Sequence, residues 1–448
     1  MKATVGTKAF YASLIVACCL AVLGAILMAI DSAALSFLKY GAVCLTAAAF
    51  ILLIDGIYTF LSCRFYKGYA YGITYMHVKR QVNQALIDAG YSDESPILHD
   101  LVIPRISITF SDDLASGILR IRSSLHHNHR LLDAEISSAL GQYVVEDIEI
   151  SDDANWVEFR FYDYRTVQSI KICSAETYQH FASQCSYTEL QLDQRSAVRL
   201  QHSLIVGATG SGKTYALFGL IYQMLLKRPR YDLWLADPKR ASLYALGRYL
   251  KAQHNEYQIA AIATEVHAFH DAMMQRAADM QGALSNGIDF DYRTLGFSPS
   301  VFIIDEYIAF ISSVQLQRKE IRDAVNADLR DIVLMGRQLG FYIYIVMQKS
   351  DATTLPTMLR DSLTLKIVLG AAEDTTYTTA FGPGARIPAH SYKVGEGVFT
   401  SAGQVNRPRI LCVPAISFDI FDAMLSEISA NEEDRRSDGS TGGEVGVM

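Results

Sequence analysis

No two of the seven cysteines, at positions 18, 19, 44, 63, 173, 185 and 412, form a CxxC pair, which excludes a disulfide framework and predicts no zinc site. An excess of positive charge is also lacking: 40 Lys and Arg face 47 Asp and Glu, for a net charge of −7. That balance argues against a molecule that coats itself in nucleic acid, yet permits a local basic lining inside an acidic assembly. Residues 9–30 contain no charge, and residues 40–63 contain only Asp55. Each run is long enough to cross a bilayer as a helix, and neither has the polar face of a soluble helix. The final stretch, 428–448, is nearly free of large apolar side chains and is predicted to be a disordered acidic tail.

Two transmembrane helices, 9–30 and 40–63, are therefore expected. A cleaved signal peptide starting at Lys2 and Lys8 is the alternative for the first, but its apolar run is longer than such segments need. Lys2 and Lys8 precede the first run, and Arg64, Lys67, Lys79 and Arg80 follow the second. The connecting loop offers only Asp31 and Lys39. The positive-inside rule then places both termini in the cytoplasm of a multi-pass bacterial membrane protein, behind a cytoplasmic tail of residues 1–8. Asp55 is close enough to the inner end to be read as a wetted interface residue rather than a helix contact.

Half the residues are apolar, and 448 residues exceed one ordinary domain. Residues 64–101 read as a juxtamembrane stalk containing a helix near Tyr75–Val82. Residues 102–195 read as a small α+β module, with strands at 106–110, 117–122, 144–150 and 156–161 and a helix near 131–140. His126, His127, Asn128 and His129 lack accompanying cysteine or acidic ligands and read as a polar turn rather than a metal site. From 196 to 427 strands alternate with helices: 202–206, 232–236, 258–264, 301–304, 341–347 and 363–369 as strands, 213–226 as the first helix. This alternation predicts an α/β fold with a mostly parallel sheet. Ligands of such sheets lie beyond the carboxyl ends of the strands, where Gly207, Asp237, Asp305 and Gln348 fall.

The stretch Gly207-Ala208-Thr209-Gly210-Ser211-Gly212-Lys213-Thr214 fits GxxxxGK[ST] and directly follows the apolar run Leu204-Ile205-Val206. Residues without Cβ atoms let the chain curl its N–H groups around a phosphate at the positive end of the next helix. In this pattern Lys213 reaches the β- and γ-phosphates of ATP and Thr214 the Mg²⁺. Val301-Phe302-Ile303-Ile304-Asp305-Glu306 is a buried strand ending in two acids, which makes Asp305 the second magnesium partner and Glu306 the general base. Gln348 ends a later strand and would face the γ-phosphate; the alternative is an ordinary polar strand end. Arg330 and Arg337 share one side of a helix, where either a role as arginine finger for a neighbouring subunit or a solvated surface position is open.

Beyond these two motifs the chain carries Asp237-Pro238-Lys239, Asp305-Glu306-Tyr307, Gly336-Arg337-Gln338-Leu339-Gly340 leading into Val346-Met347-Gln348, and Lys393-Val394-Gly395-Glu396-Gly397. In these segments it resembles the FtsK/SpoIIIE family of DNA translocases, across residues 103–420. The resemblance implies a RecA-like P-loop NTPase assembled as a homo-hexameric ring, with ATP between subunits and DNA in a central pore. Two spans, little linker and a short tail depart from the chromosome-segregating members. They are similar instead to the TcpA-like coupling ATPases of Gram-positive conjugative elements, which implies relaxase and channel proteins as partners. Lys349-Ser350 stands where the family often has Arg-Pro. Lys239, Arg240 and residues 281–293 are candidate pore elements, and a protein-secretion ATPase is the competing reading.

Overall fold

The computed structural model describes residues 5–30, 35–91, 93–94, 101–123, 136–166, 169–283, 291–350, 354–388 and 390–440. The histidines at 126, 127 and 129 lie outside them. The chain divides into two compact units, Met1–Val167 and Gln168–Met448.

The first unit opens with helices α1 (Val5–Ile30) and α2 (Leu35–Ser62). They meet along small residues: Ala17 and Ala48 are buried, and a Cβ on Gly24 would approach the Gly41 carbonyl oxygen to 2.9 Å. Close backbone approach of this kind is how apolar helices associate without a hydrophobic driving force. Of the two, the segment Lys39–Ser62 is long and apolar enough to cross a membrane, at 24 residues and a mean hydropathy of 2.0. The apolar part described in α1, Ala12–Met28, is shorter. One span thus meets the length criterion, where the sequence predicts two. Asp55 is a helix contact rather than a bare interface residue, because its Oδ2 accepts a 2.7 Å hydrogen bond from Ser13 Oγ.

The helix described within the expected stalk, 64–101, shares the core of the small module. Helix α3 (Tyr69–Asp88) buries Tyr71, Tyr75, Val78, Val82 and Leu86, spaced three or four apart and hence on one face. That face packs into the core of a four-stranded antiparallel sheet. The strands are β1 (Ile106–Phe110), β2 (Ser116–Arg122), β3 (Tyr143–Ile150) and β4 (Trp156–Asp163), in the order β1-β2-β4-β3. Alternate residues such as Ile108 and Phe110, or Val157, Phe159 and Phe161, point at α3, as strand geometry requires.

The second unit starts before residue 196. Helix α4 (Ala175–Ala182) and the hairpin β5 (Glu189–Gln191) and β6 (Ala197–Arg199) share a core with the strands that follow, so the module ends near 167 rather than at 195. Then come β7 (Ser203–Gly207), α5 (Lys213–Leu226), β8 (Asp232–Ala236), α6 (Ser242–Tyr249), β9 (His254–Glu256) and α7 (Ile259–Ala283). Next are β10 (Ser300–Ile304), α8 (Tyr307–Gln315), α9 (Lys319–Leu339), β11 (Phe341–Met347), β12 (Leu365–Leu369) and α10 (Asp374–Phe381). Strands β13 (Glu396–Ser401) and β14 (Val405–Cys412) precede α11 (Ile420–Ser440). The helix reaches well into the predicted tail. Residues 258–264, predicted as a strand, open the 25-residue α7 instead; an alanine-rich run favours helix when its apolar residues fit one face.

The strands form one sheet in the order β9-β8-β10-β11-β7-β12-β13-β14. The six from β9 to β12 are parallel, and β13 and β14 add an antiparallel hairpin at one edge. Both faces are covered. Ile205, Leu235, Ile303 and Tyr344 pack with α5 on one side; Leu204, Val206, Phe302 and Ile345 pack with α7, α8 and α9 on the other. Each such side chain, fully buried, contributes about 1.5–3 kcal/mol of transfer free energy.

Candidate nucleotide site

The loop after β7 is shaped by glycines at two places. Gly207 lies so close to the loop's return that a Cβ there would meet Ser211 Oγ at 2.5 Å. Gly212 has φ +93°, and its Cβ would meet the Gly395 nitrogen at 2.9 Å. The Gly395 N–H in turn donates to the Ser211 carbonyl at 2.9 Å. The late segment Lys393–Gly397 therefore clasps the outer side of the phosphate loop. Ser211 Oγ is buried without a hydrogen-bond partner among the described residues, a polar atom left for an oxygen-rich ligand.

Lys213 and Thr214 open α5, both partly buried. Lys213 Nζ sits 3.5 Å from Asp305 Oδ1 and 3.8 Å from Glu306 Oε1. Asp305 is positioned by β10, pairing between β8 and β11, and its backbone N–H donates to the Ala236 carbonyl at 2.9 Å. Burial raises its pKa above the ordinary carboxylate value; Lys213 opposes this, and the charges of Asp237 and Glu306 reinforce it. Crowded carboxylates of this kind favour a bound cation.

Glu306 occupies the left-handed region, φ 51°, at the start of α8. A non-glycine residue there is strained by roughly 1–3 kcal/mol, and such strain concentrates at functional sites. Its carboxylate is gripped from two sides. Lys239 Nζ lies 3.1 Å from Oε2, and Gln348 Nε2 donates to Oε1 at 2.6 Å. Gln348 stands at the carboxyl end of β11, so its amide faces the same space as the phosphate loop.

Lys239, offered by the sequence as a pore candidate, stands beside Glu306 in this site. The fully buried Asp237 bends its segment by accepting from the N–H groups of Lys239 (3.1 Å), Ala241 (2.8 Å) and Tyr244 (3.3 Å). The Asp-Pro-Lys spacing was the available signal. Arg240 is likewise held, its guanidinium 4.8 Å from the Tyr257 ring centre. Of residues 281–293, the part 284–290 lies outside the described residues, and Arg293 is ion-paired with Asp291.

Arg337 does not join this cluster within its own chain. It lies on α9 before β11, at the amino edge of the sheet, while Gln348 lies at the carboxyl edge; the seven-residue strand between them spans about 23 Å. Exposed Arg337 lines a groove there with Arg199 and Arg293. Arg330, also exposed on α9, pairs with Asp331 at 3.1 Å.

The chain is 30% identical over 199 residues to the FtsK domain-containing protein YdcQ of Bacillus subtilis. That match covers 44% of this chain and 40% of the relative, so the chain matches well under half of that protein's length. No family model matches the sequence. Among solved structures, the conjugation coupling protein TcpA of pCW3, a monomer with ATPγS, is 13% identical over 78% of this chain and 99% of its own, at a TM-score of 0.48. The cytoplasmic domain of the Thermomonospora curvata type VII secretion ATPase EccC is 18% identical over 51% of this chain and 27% of its own, at 0.41. The motor resemblance read from the motifs thus has a sequence relative.

Proposed function

We propose that this chain, which carries an FtsK-type ATPase domain, is a membrane-anchored ATPase that drives DNA translocation as a coupling protein in conjugative transfer. The observation that carries the reading is Glu306 held between Lys239 and Gln348 beside Lys213 and Asp305, at the carboxyl ends of parallel strands.

The loop 207–214 binds the triphosphate of ATP through backbone N–H groups and Lys213, whose ammonium exchanges its carboxylate partners for phosphate oxygens. Thr214 and Asp305 would hold Mg²⁺, which would neutralise charge on the phosphates. Glu306 accepts a proton from the attacking water at its carboxylate. Lys239 holds that carboxylate in place, and Gln348 orients its other oxygen. An advance of negative charge at the γ-position would pull Gln348 from Glu306, so strand β11 reports nucleotide state.

The helices α1 and α2 form a two-helix membrane anchor with both termini and the motor cytoplasmic. The motor works as a homo-hexamer in which Arg337, at the far edge of the sheet, serves the ATP of a neighbouring subunit. DNA contacts are electrostatic and tolerant of sequence, and relaxase and channel proteins dock on the assembly. Supporting this reading are the FtsK-type motifs, the sequence relationship to an FtsK domain-containing protein and the apolar helix Lys39–Ser62.

Binding of labelled DNA to the full chain in detergent micelles, carrying Glu306→Gln and saturated with ATP, tests the cargo. Binding that requires ATP and weakens steeply with salt is expected. Absence of DNA binding at low salt would overturn the DNA role and favour protein secretion.

A further inference from the structure

Helices α7 and α9 carry a second cluster that the ATPase chemistry does not use. His267 and His270 stand three residues apart on α7, and Asp328 and Asp331 three apart on α9, so each pair shares one face of its helix. The two helices pack against each other over the same sheet face. His267 Nδ1 lies 3.0 Å from Asp328 Oδ2, and His270 Nδ1 lies 3.7 Å from Asp328 Oδ1. One ligand atom from each of His267, His270 and Asp328 falls within 4.8 Å of the other two, the one such group among the described residues.

We propose that His267, His270 and Asp328 bind a divalent transition metal of the zinc class, which staples α7 to α9. Three observations converge on a metal rather than on hydrogen bonding alone. First, metal–nitrogen and metal–oxygen bonds of about 2.1 Å in a tetrahedron put neighbouring ligand atoms about 3.4 Å apart; the two imidazoles reach separate oxygens of Asp328 at 3.0 and 3.7 Å, and the three ligand atoms fall within 4.8 Å of one another.

Second, His270 Nδ1 is buried yet has no hydrogen-bond partner among the described residues, although it faces a carboxylate oxygen. Its other nitrogen, Nε2, faces Asp331 Oδ2 at 3.9 Å. Asp331 stands on the side that an outer carboxylate takes in carboxylate–histidine–metal arrangements, beyond direct hydrogen-bond distance. Third, the surroundings are acidic: the Asp271 carboxylate is 3.5 Å from both imidazoles, and among the described residues Asp331 alone of the three aspartates has an arginine, Arg330, as partner. Imidazole and carboxylate donors together suit Zn²⁺, Co²⁺ or Ni²⁺ better than Mg²⁺ or Ca²⁺. The site is separate from the phosphate loop, so its occupancy is read without ATP.

The test uses the full chain in detergent, stripped with a chelator and titrated with Co²⁺ and then Zn²⁺ in the absence of nucleotide. One Co²⁺ per chain with the intense visible absorption of a low-coordinate nitrogen–oxygen site is expected, displaced by Zn²⁺. A hundredfold excess of Zn²⁺ over its dissociation constant should raise Tm by on the order of 5 °C. The double variant His267→Ala/His270→Ala should lose both signals, and Asp328→Asn, which conserves shape, should weaken binding at least tenfold. Metal-free melting of Asp328→Asn near that of the parent establishes that the loss is not misfolding. Binding unchanged in these variants, a sulfur-to-cobalt band, or no saturable binding would each overturn the proposal.

Discussion

Gln348 donates a 2.6 Å hydrogen bond to the Glu306 carboxylate from the end of the neighbouring strand, joining the proposed sensor to the proposed general base. Two chain positions 42 residues apart are thereby linked. Because Glu306 also meets Lys239 at 3.1 Å, loss of the amide should loosen the base without freeing it.

Gln348→Ala should lower kcat for ATP hydrolysis by about tenfold, the order of one hydrogen bond to a charged group at an exposed position, with KM for ATP nearly unchanged. Glu306→Gln should lower kcat by about 10²–10⁴-fold while leaving ATP binding intact. Steady-state kinetics beside fluorescent-nucleotide titration separates the two effects. A Gln348→Ala loss as large as that of Glu306→Gln would contradict a supporting role for the amide.

Gly212→Ala should abolish ATP binding. The φ of +93° and the 2.9 Å approach to the Gly395 nitrogen leave no relaxed place for a methyl group, so the loop or the clasping segment 393–397 must shift. Calorimetric titration with ATP measures it; near-normal affinity would show that the clasp is adjustable.

Asp305→Asn should stabilise the nucleotide-free protein near neutral pH while removing Mg²⁺-dependent hydrolysis. The sign follows from its raised pKa, caused first by burial. A carboxyl that holds its proton more tightly when folded favours the fold at low pH, and that contribution disappears as pH rises through the folded value. The gain in Tm should therefore be present at about pH 7 and vanish below the ordinary carboxylate range. Equal Tm values at about pH 7 would contradict it.

His202 gives the opposite dependence. Burial, aided by the charge of Arg337, lowers its pKa to about 3, and its Nδ1 accepts the Ile343 N–H at 3.1 Å. The folded state prefers the neutral ring, so stability is lost as pH falls from 6.5 towards about 3. His202→Asn, which can still accept that hydrogen bond, should shift acid unfolding to lower pH. Circular dichroism against pH reads the midpoint.

The sequence made the motor legible where local pattern and chemistry coincide. Strand β7, the loop 207–214 and α5 follow from an apolar run, glycines and a helix start that no other local structure satisfies, and Asp305 and Glu306 follow from the strand that ends in them. What escaped was set by long-range packing. The role of Lys239 depends on a turn tied to the buried Asp237, and the edge hairpin β13–β14 has no helix-strand rhythm to announce it. The run 258–264 is apolar enough for a strand, and only its continuation to Ala283 against the sheet marks it as helix. His267 and Asp328 are 61 residues apart, and only the pairing of α7 with α9 brings them together.

The most direct test of the central claim is ATP hydrolysis by the full chain in micelles, with and without DNA, beside Lys213→Ala. The account predicts hydrolysis stimulated severalfold or more by DNA and abolished in the variant. Robust hydrolysis indifferent to DNA would contradict a DNA translocase.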